Sequence, residues 1–274
     1  MKFIEYVSSQ QLWSFDHYPF ELRVDSNGNE TKIVCKTDLF YKYLTDFRNI
    51  SRLTGVPFWA YILSCKIISY TCKQINLYRP MPTVEQMRFA AFNSLAYGAQ
   101  GILYYRYGHK KRECDLKKCE NGCVDDNIFP DIYPLDANGN KTEIWNSIKT
   151  VNAEIRQYQD VFLNCNVLDI FHVDQSSFNL NATPVKTAYS SESFVISYIR
   201  NGNYDYLVFL NKDYKNPADI YLVNNPAYNW NLNVKFLTPT SLLSAPLGAS
   251  YSSQFRLQGA GYAILRWPIT RTNG

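Results

Sequence analysis

Three consecutive residues able to do chemistry, Asp16, His17 and Tyr18, directly follow a short apolar segment. They come at the carboxyl end of a predicted strand, which is where the substrate-facing residues of strand–helix barrels lie. The carboxylate could orient a ligand hydroxyl or hold the imidazole. The imidazole could in turn donate to the ligand or to a second carboxylate. The alternative is a structural strand end, because Pro19 stops the strand.

Aromatic residues make up 16% of the chain, with 22 tyrosines, and some recur at strand spacing. Trp59 and Tyr61 alternate with apolar neighbours and therefore share one face of a strand. Tyr105 and Tyr107 likewise share a face. Such rings suit the apolar faces of sugars, so these four residues are candidates for substrate binding. The alternative for each is a core position, because aromatic residues are common in strands.

A histidine and three cysteines follow the last of these strands, as His109, Cys114, Cys119 and Cys123. They could bind Zn²⁺, form a disulfide within the loop, or remain free thiols. The spacing lacks the opposed pairs typical of structural zinc sites, so no metal is predicted. The total of seven cysteines is odd, so at least one has no partner within the chain. Cys65 could pair with Cys72 or with the loop.

The elements that position these residues are three predicted strand–helix units. The strands cover residues 12–19, 56–63 and 101–107. The helices that follow them show apolar residues at helical spacing, from Asp38 to Leu53, after Thr83, and from Thr142 to Leu163. Alternation of this kind predicts a parallel sheet, and eight such units close a (β/α) barrel. The fold class predicted for residues 1–165 is therefore α/β, a partial TIM barrel of three units.

The pattern changes after Cys165 to short alternating segments separated by turn residues, such as Asn201-Gly202-Asn203. This predicts an antiparallel β-sandwich over residues 166–274. The chain is therefore expected to combine an α/β domain and an all-β domain, with their boundary near residue 165.

Composition argues against several classes of partner. No apolar run is long enough for a membrane helix, and the first residues lack the apolar centre of a signal peptide. The net charge of +4 is spread without basic clusters, so neither nucleic acid nor a membrane is expected as a partner. No cofactor is expected. Four Asn-x-Ser/Thr sequons and the cysteines lean weakly towards a secreted or periplasmic protein.

Several blocks of sequence together carry a family resemblance, and they occur in a fixed order. They resemble the later part of (β/α)₈ glycoside hydrolases similar to family 42 β-galactosidases and their gut-bacterial relatives. When these blocks are matched to such enzymes in order, the three predicted strands correspond to the sixth, seventh and eighth strands of the barrel. The region after the third unit resembles the small β-domain that often follows such a barrel. The blocks are Ser14–Phe20, Gly55–Ala60, Pro82-Thr83, Leu95–Ile102 and Phe255–Tyr262.

The resemblance implies a glycosidase acting on or binding β-linked glycosides, with two departures. The acid/base carboxylate of such enzymes follows the fourth strand, which has no counterpart here. The nucleophilic Glu follows the seventh, but Phe58–Lys66 contains no carboxylate. Because glycoside hydrolysis needs two carboxyl groups, the catalytic residues are unknown and the chain alone is expected to be inactive. A missing amino-terminal barrel segment is then an expected partner. The alternative is a non-catalytic carbohydrate-binding or scaffold protein derived from a glycosidase.

Overall fold

The structure is a computed structural model of the 274-residue chain. The chain forms two compact units. The first comprises residues 1–91 and 101–156, and the second comprises residues 92–100 and 157–274. The predicted boundary near residue 165 stays a prediction. The residues that the structure describes are 11–25, 30–71, 74–106, 126–128, 133–136, 138–174, 177–180, 183–228, 233–237, 242–243 and 252–269.

The first unit contains a three-stranded parallel sheet with the order β1-β4-β7. Its strands are β1 (Trp13–Phe15), β4 (Phe58–Leu63) and β7 (Gly101–Tyr105). Ser14 is level with Trp59, and Trp59 is level with Gly101. After β1 and after β4 the chain returns to start the next strand in the same direction, as predicted for strand–helix units.

Helices α1 (Thr37–Thr54) and α2 (Val84–Ala96) connect these strands, and α3 (Glu143–Gln157) follows the last one. The apolar side of α1 buries Phe40 and Leu44. Gly55 ends α1 in the left-handed conformation with φ of 69°, and its amide donates to the Ser51 carbonyl, which is the usual reason for a glycine at this point.

A reciprocal pair of hydrogen bonds starts α2. The Thr83 hydroxyl accepts from the Gln86 amide at 3.3 Å, and the Gln86 side-chain oxygen accepts from the Thr83 amide at 3.1 Å. This is a capping box, and it begins the helix where the sequence pattern predicted one, after Thr83. Further along, Arg88 of α2 donates two hydrogen bonds of 2.7 Å to Glu154 of α3. This forked geometry fixes the two helices relative to each other.

Two small antiparallel sheets interrupt the strand–helix alternation. One is the hairpin of β2 (Phe20–Val24) with β3 (Glu30–Cys35). The other has the order β6-β5-β8, which the sequence pattern did not predict. Its strands are β5 (Ile67–Thr71), β6 (Gln74–Arg79) and β8 (Asp126–Ile128).

The second unit contains two five-stranded antiparallel sheets, with orders β10-β11-β14-β17-β16 and β15-β18-β13-β12-β9. Their inward residues share one apolar core, in which Phe194, Phe209 and Phe255 are completely buried. This is the packing of a β-sandwich. The strands are β9 (Asn166–Val173), β10 (Ser177–Asn179), β11 (Val185–Tyr189), β12 (Phe194–Asn201), β13 (Tyr204–Asn211), β14 (Ala218–Asn224), β15 (Lys235–Phe236), β16 (Leu242–Leu243), β17 (Ser252–Leu257) and β18 (Tyr262–Pro268).

Residues 92–100 and the short helix α4 (Gln159–Phe162) cover the outer face of the second of these sheets. The buried Ser197 hydroxyl donates to the Ala96 carbonyl at 2.6 Å, and the Phe92 ring stacks on Tyr262 with centroids 3.9 Å apart.

The single helix predicted from Thr142 to Leu163 is in fact two helices, α3 and α4, separated at Tyr158. Among the described residues no helix has the length and apolar character that crossing a bilayer requires.

Candidate functional site

The carboxyl ends of the parallel strands present one exposed face. Phe15 packs on Phe40 of α1, so its neighbour Asp16, which is exposed, points to the opposite side. On β7, the Tyr104 hydroxyl donates to Asn152 of α3 at 2.8 Å, which leaves Tyr105 on that opposite side. We call this side the open face.

The strand register arranges the open face in rows. Ser14, Trp59 and Gly101 are level and form the first row, towards the amino ends of the strands. One step further, Asp16 directly follows Phe15, which is level with Ala60, and the next residue of β4, Tyr61, is level with Leu103. Nearest the carboxyl ends, Leu63 is level with Tyr105. The open face thus carries Trp59, Tyr61 and Tyr105, all partly exposed, around one carboxylate.

The ring of Tyr18 lies beside Tyr105, in the row nearest the carboxyl ends of the strands. The ring lies 6.1 Å from that of Tyr105, with 30° between their planes. Both rings pack against a buried cluster that includes Leu63 and Cys65. The Ser64 hydroxyl, next to Cys65, donates to the Arg106 carbonyl at 3.1 Å and ties the ends of β4 and β7 together.

The Tyr18 hydroxyl is buried near the Asp16 carboxylate, although the two groups lie outside ordinary hydrogen-bond geometry. Burial and the nearby Asp16 carboxylate both raise the pKa of this phenol. The Tyr18 side chain also lines a small apolar pocket together with Gln86, whose side-chain nitrogen is another buried atom for which the described residues offer no acceptor. A raised pKa keeps the phenol neutral, so Tyr18 is suited to donate a hydrogen bond rather than to attack as a phenolate.

His17 occupies a different place from its two neighbours. Its ring lies 4.9 Å from that of Tyr43 on α1, away from the open face. Burial, followed by the positive charge of Arg79, lowers the pKa of the imidazole. At neutral pH it is therefore uncharged, and its buried Nε2 has no hydrogen-bond partner among the described residues. His17 does not reach the face on which the sequence placed it.

A group of charges lies behind the carboxyl end of β1. The Arg79 guanidinium is 3.2 Å from Glu21 and donates to the Phe20 carbonyl at 3.1 Å. Lys36 forms a second ion pair with Glu21. Burial acts to raise the pKa of Glu21, but the hydrogen bond from Lys36 and the charge of Arg79 outweigh it, so that the pKa is lowered. The Glu21 carboxylate is thus ionised and held by two cations.

The seven predicted binding residues therefore fall into groups, according to whether they lie on the open face. Asp16, Tyr18, Tyr61 and Tyr105 meet on or beside the open face. Trp59 shares that face at its opposite end, and His17 does not share it. Tyr107, like His109 and the cysteines of its loop, lies outside the described residues. Cys65 is a free thiol, so the pairing that the sequence left open for it is not formed.

Two residues of the site were not anticipated from the sequence. Arg79 had no signal, because nothing about Tyr78-Arg79-Pro80 marks it as buried. Gly101 had one: a glycine within a strand often marks a close approach of another group. A Cβ atom at position 101 would lie 2.6 Å from two atoms of the Trp59 indole, so the ring rests on this glycine.

Of the comparisons with known proteins, the one with solved structures gives matches. No protein-family model matches the chain, and no curated protein is similar to it. Similar solved structures include the α-fucosidase of Thermotoga maritima with a mechanism-based inhibitor, at 11% identity and a TM-score of 0.38. The match covers 78% of this chain and 40% of that one. An α-amylase from H. orenii gives 9% identity and a TM-score of 0.39 over 84% and 47%.

These two structures are an α-fucosidase and an α-amylase, and neither shows family 42. The chain spans less than half the length of either. At these TM-scores the likeness carries no argument about the reaction, which has to come from the chain's own residues.

Proposed function

We propose that this chain is a glycoside hydrolase-like protein whose open face binds a carbohydrate. The observation that carries the proposal is that Asp16, Tyr61 and Tyr105 share the open face, in the half of the parallel sheet towards its carboxyl ends. Ends of this kind carry the ligand-binding residues of α/β sheets and barrels. The combination of partly exposed rings with a hydrogen-bond acceptor suits a ligand that has apolar C–H faces and many hydroxyl groups.

The same residues favour binding over hydrolysis. Hydrolysis by two carboxyl groups requires a pair about 5–9.5 Å apart. Within the described residues, Asp16 is the carboxylate on the open face, and Glu21 behind it is held by Lys36 and Arg79. Tyr18 does not supply a substitute nucleophile, because its pKa is raised rather than lowered. We therefore favour binding, with hydrolysis as the outcome that would replace it.

The architecture that accompanies this function is part of a (β/α) barrel. The described strands form a parallel sheet of three with helices on one side, whereas parallel sheets are normally covered on both faces. Further strands beside β1 and β7 would cover the open face and turn it into the wall of a cleft. We propose that such strands come from an additional barrel segment, the partner expected from the sequence.

Calorimetry with matched α- and β-linked glucosides and galactosides tests the proposal. Loss of one aromatic contact or one charge-assisted hydrogen bond corresponds to roughly tenfold weaker binding. We expect this for Tyr61→Ala and for Asp16→Asn, with tighter binding of the β-linked series. Tyr43→Ala is the matched control, because Tyr43 is an exposed tyrosine of α1 in the same unit (37% exposed).

Three results would contradict the proposal. The first is the absence of binding to every glycoside of the panel by a folded chain. The second is equal weakening by Tyr61→Ala and Tyr43→Ala. The third is turnover of nitrophenyl glycosides that disappears in Asp16→Asn, which would establish hydrolysis instead. Preference for the α-linked series would overturn only the linkage.

A further inference from the structure

The outer face of the sheet β10-β11-β14-β17-β16 carries a second set of partly exposed aromatic and polar side chains. Along β14, Ala218, Ile220 and Leu222 are buried in the sandwich core, and the residues between them point outward. The neighbouring strands alternate in the same sense. The outward residues considered below are Ser177, Asn179, Thr187, Tyr189, Asp219, Tyr221, Gln254 and Arg256.

Two tyrosines lie at the centre of this face. Tyr189 and Tyr221 are direct cross-strand neighbours, and their rings stack with centroids 5.0 Å apart and only 10° between planes. Tyr189 is 39% exposed. A stacked pair stabilises the sheet. Because the neighbour of Tyr189 on its other side is the small Ser177, the far face of this ring has no large cross-strand neighbour.

The surroundings of the pair are largely polar, apart from Val223 on the same strand, and they carry little net charge. Gln254 is level with Tyr221 on the next strand. In the adjacent row the Thr187 hydroxyl donates to the Asn179 side-chain oxygen at 3.0 Å. The charged side chains Asp219 and Arg256 face each other 3.6 Å apart and neutralise one another, and Lys186 lies in the bulge of β11.

We propose that this face is a second carbohydrate-binding surface, which takes an uncharged oligosaccharide lying across the strands. Aromatic rings beside amide and hydroxyl groups match sugar C–H faces and hydroxyls, and the pairing of Asp219 with Arg256 removes most of the charge from the face. The row from Ser177 to Gln254 crosses four strands, which is about 14 Å at ordinary strand spacing. That length accommodates several sugar residues rather than one. The surface is independent of the open face, since it lies in the other unit.

Affinity electrophoresis of the full chain tests the proposal, with soluble starch, β-1,4-glucan and β-1,4-galactan as probes, followed by calorimetry with the oligosaccharides of the retarding polymer. We expect Tyr189→Ala and Tyr221→Ala each to weaken binding by at least about fivefold, the scale of one aromatic contact. Tyr189→Phe keeps the ring and should change binding less. Tyr204→Ala is the control, because Tyr204 is another exposed tyrosine of this unit (37% exposed).

Melting curves of the same variants keep the test decisive. If Tyr189→Ala unfolds the sheet, Tyr189→Phe and Gln254→Ala still report on ligand contacts. Retardation that Tyr61→Ala abolishes and Tyr189→Ala leaves intact would place all binding on the open face and overturn this proposal while supporting the first. No retardation by any polymer would also overturn it, as would saturable binding of a protein to this face.

Discussion

Replacing Gly101 by alanine should destabilise the first unit, and the effect should change sign when Trp59 is removed. An alanine Cβ would lie 2.6 Å from two indole atoms and 2.9 Å from a third. Carbon atoms in contact prefer about 3.5–4.0 Å, so the ring or the strand has to move by roughly 1 Å. Overpacking of this kind costs about 1–3 kcal/mol.

The backbone contributes with the opposite sign. Gly101 lies in a strand and is not among the glycines with positive φ, so alanine can adopt its conformation. Gly→Ala at such a site stabilises by about 0.4–1 kcal/mol through the unfolded chain. The net expectation is a loss of about 1–2 kcal/mol in the free energy of unfolding. In a Trp59→Ala background the clash disappears and Gly101→Ala should gain about 0.5 kcal/mol.

The assay is a double-mutant cycle by urea unfolding of the full chain. Hydrogen exchange of peptides covering β4 and β7 assigns the change to this sheet. The coupling free energy between the two positions should be about 2 kcal/mol. The reasoning is refuted if Gly101→Ala costs the same with and without Trp59, because the ring would then not lie on the glycine.

Three further predictions concern His17 and Cys65 in the first unit and Asp205 in the second. The low pKa of His17 means that the unfolded chain binds a proton that the folded chain refuses, so stability should fall as the pH drops below 6.5. His17→Gln should flatten this part of the stability profile measured by urea unfolding. Asp205→Ala removes the acceptor of Tyr198 and the partner of Arg200, and should cost about 2 kcal/mol, Asp205→Asn less. Burial raises the pKa of Cys65 to about 11, so at pH 8 its alkylation, followed by mass spectrometry, should be far slower in folded than in urea-unfolded chain.

The strand–helix alternation and the antiparallel region were readable from the sequence because they depend on local periodicity. The turn at Asn201-Gly202-Asn203, for example, is directly followed by a strand, β13 (Tyr204–Asn211). The hairpin of β5 and β6 was missed because its residues show no clear local periodicity. Its segment follows β4 after only a few residues, and Ser69 and Asn76 break the apolar pattern that a buried strand would show. Pairing between strands is a property of the folded chain, and periodicity does not record it.

The candidate site was readable only in part, and His17 shows why. Sequence position placed it at a strand end with Asp16 and Tyr18, but successive side chains of an extended chain point to opposite sides. Asp16 is exposed on the open face, so His17 turns back towards Tyr43 of α1. The same alternation separates Tyr104, which donates to Asn152 of α3, from Tyr105 on the open face. Sequence could therefore indicate which residues share a side, whereas the side that faces a helix became clear only from contacts such as that of Phe15 with Phe40.

The abundance of aromatic residues in this chain is by itself a poor guide to carbohydrate binding. Many of the rings fill cores: Phe15, Phe40 and Phe89 form a buried chain of contacts in the first unit. A core ring is enclosed by apolar neighbours, whereas a ring that meets a sugar must keep one face open beside a hydrogen-bonding group. Tyr189 meets that condition beside Ser177 by strand register, and Tyr61 shares the open face with the exposed Asp16. Position in the sheet, rather than the number of tyrosines, therefore selects the residues on which a binding experiment should concentrate.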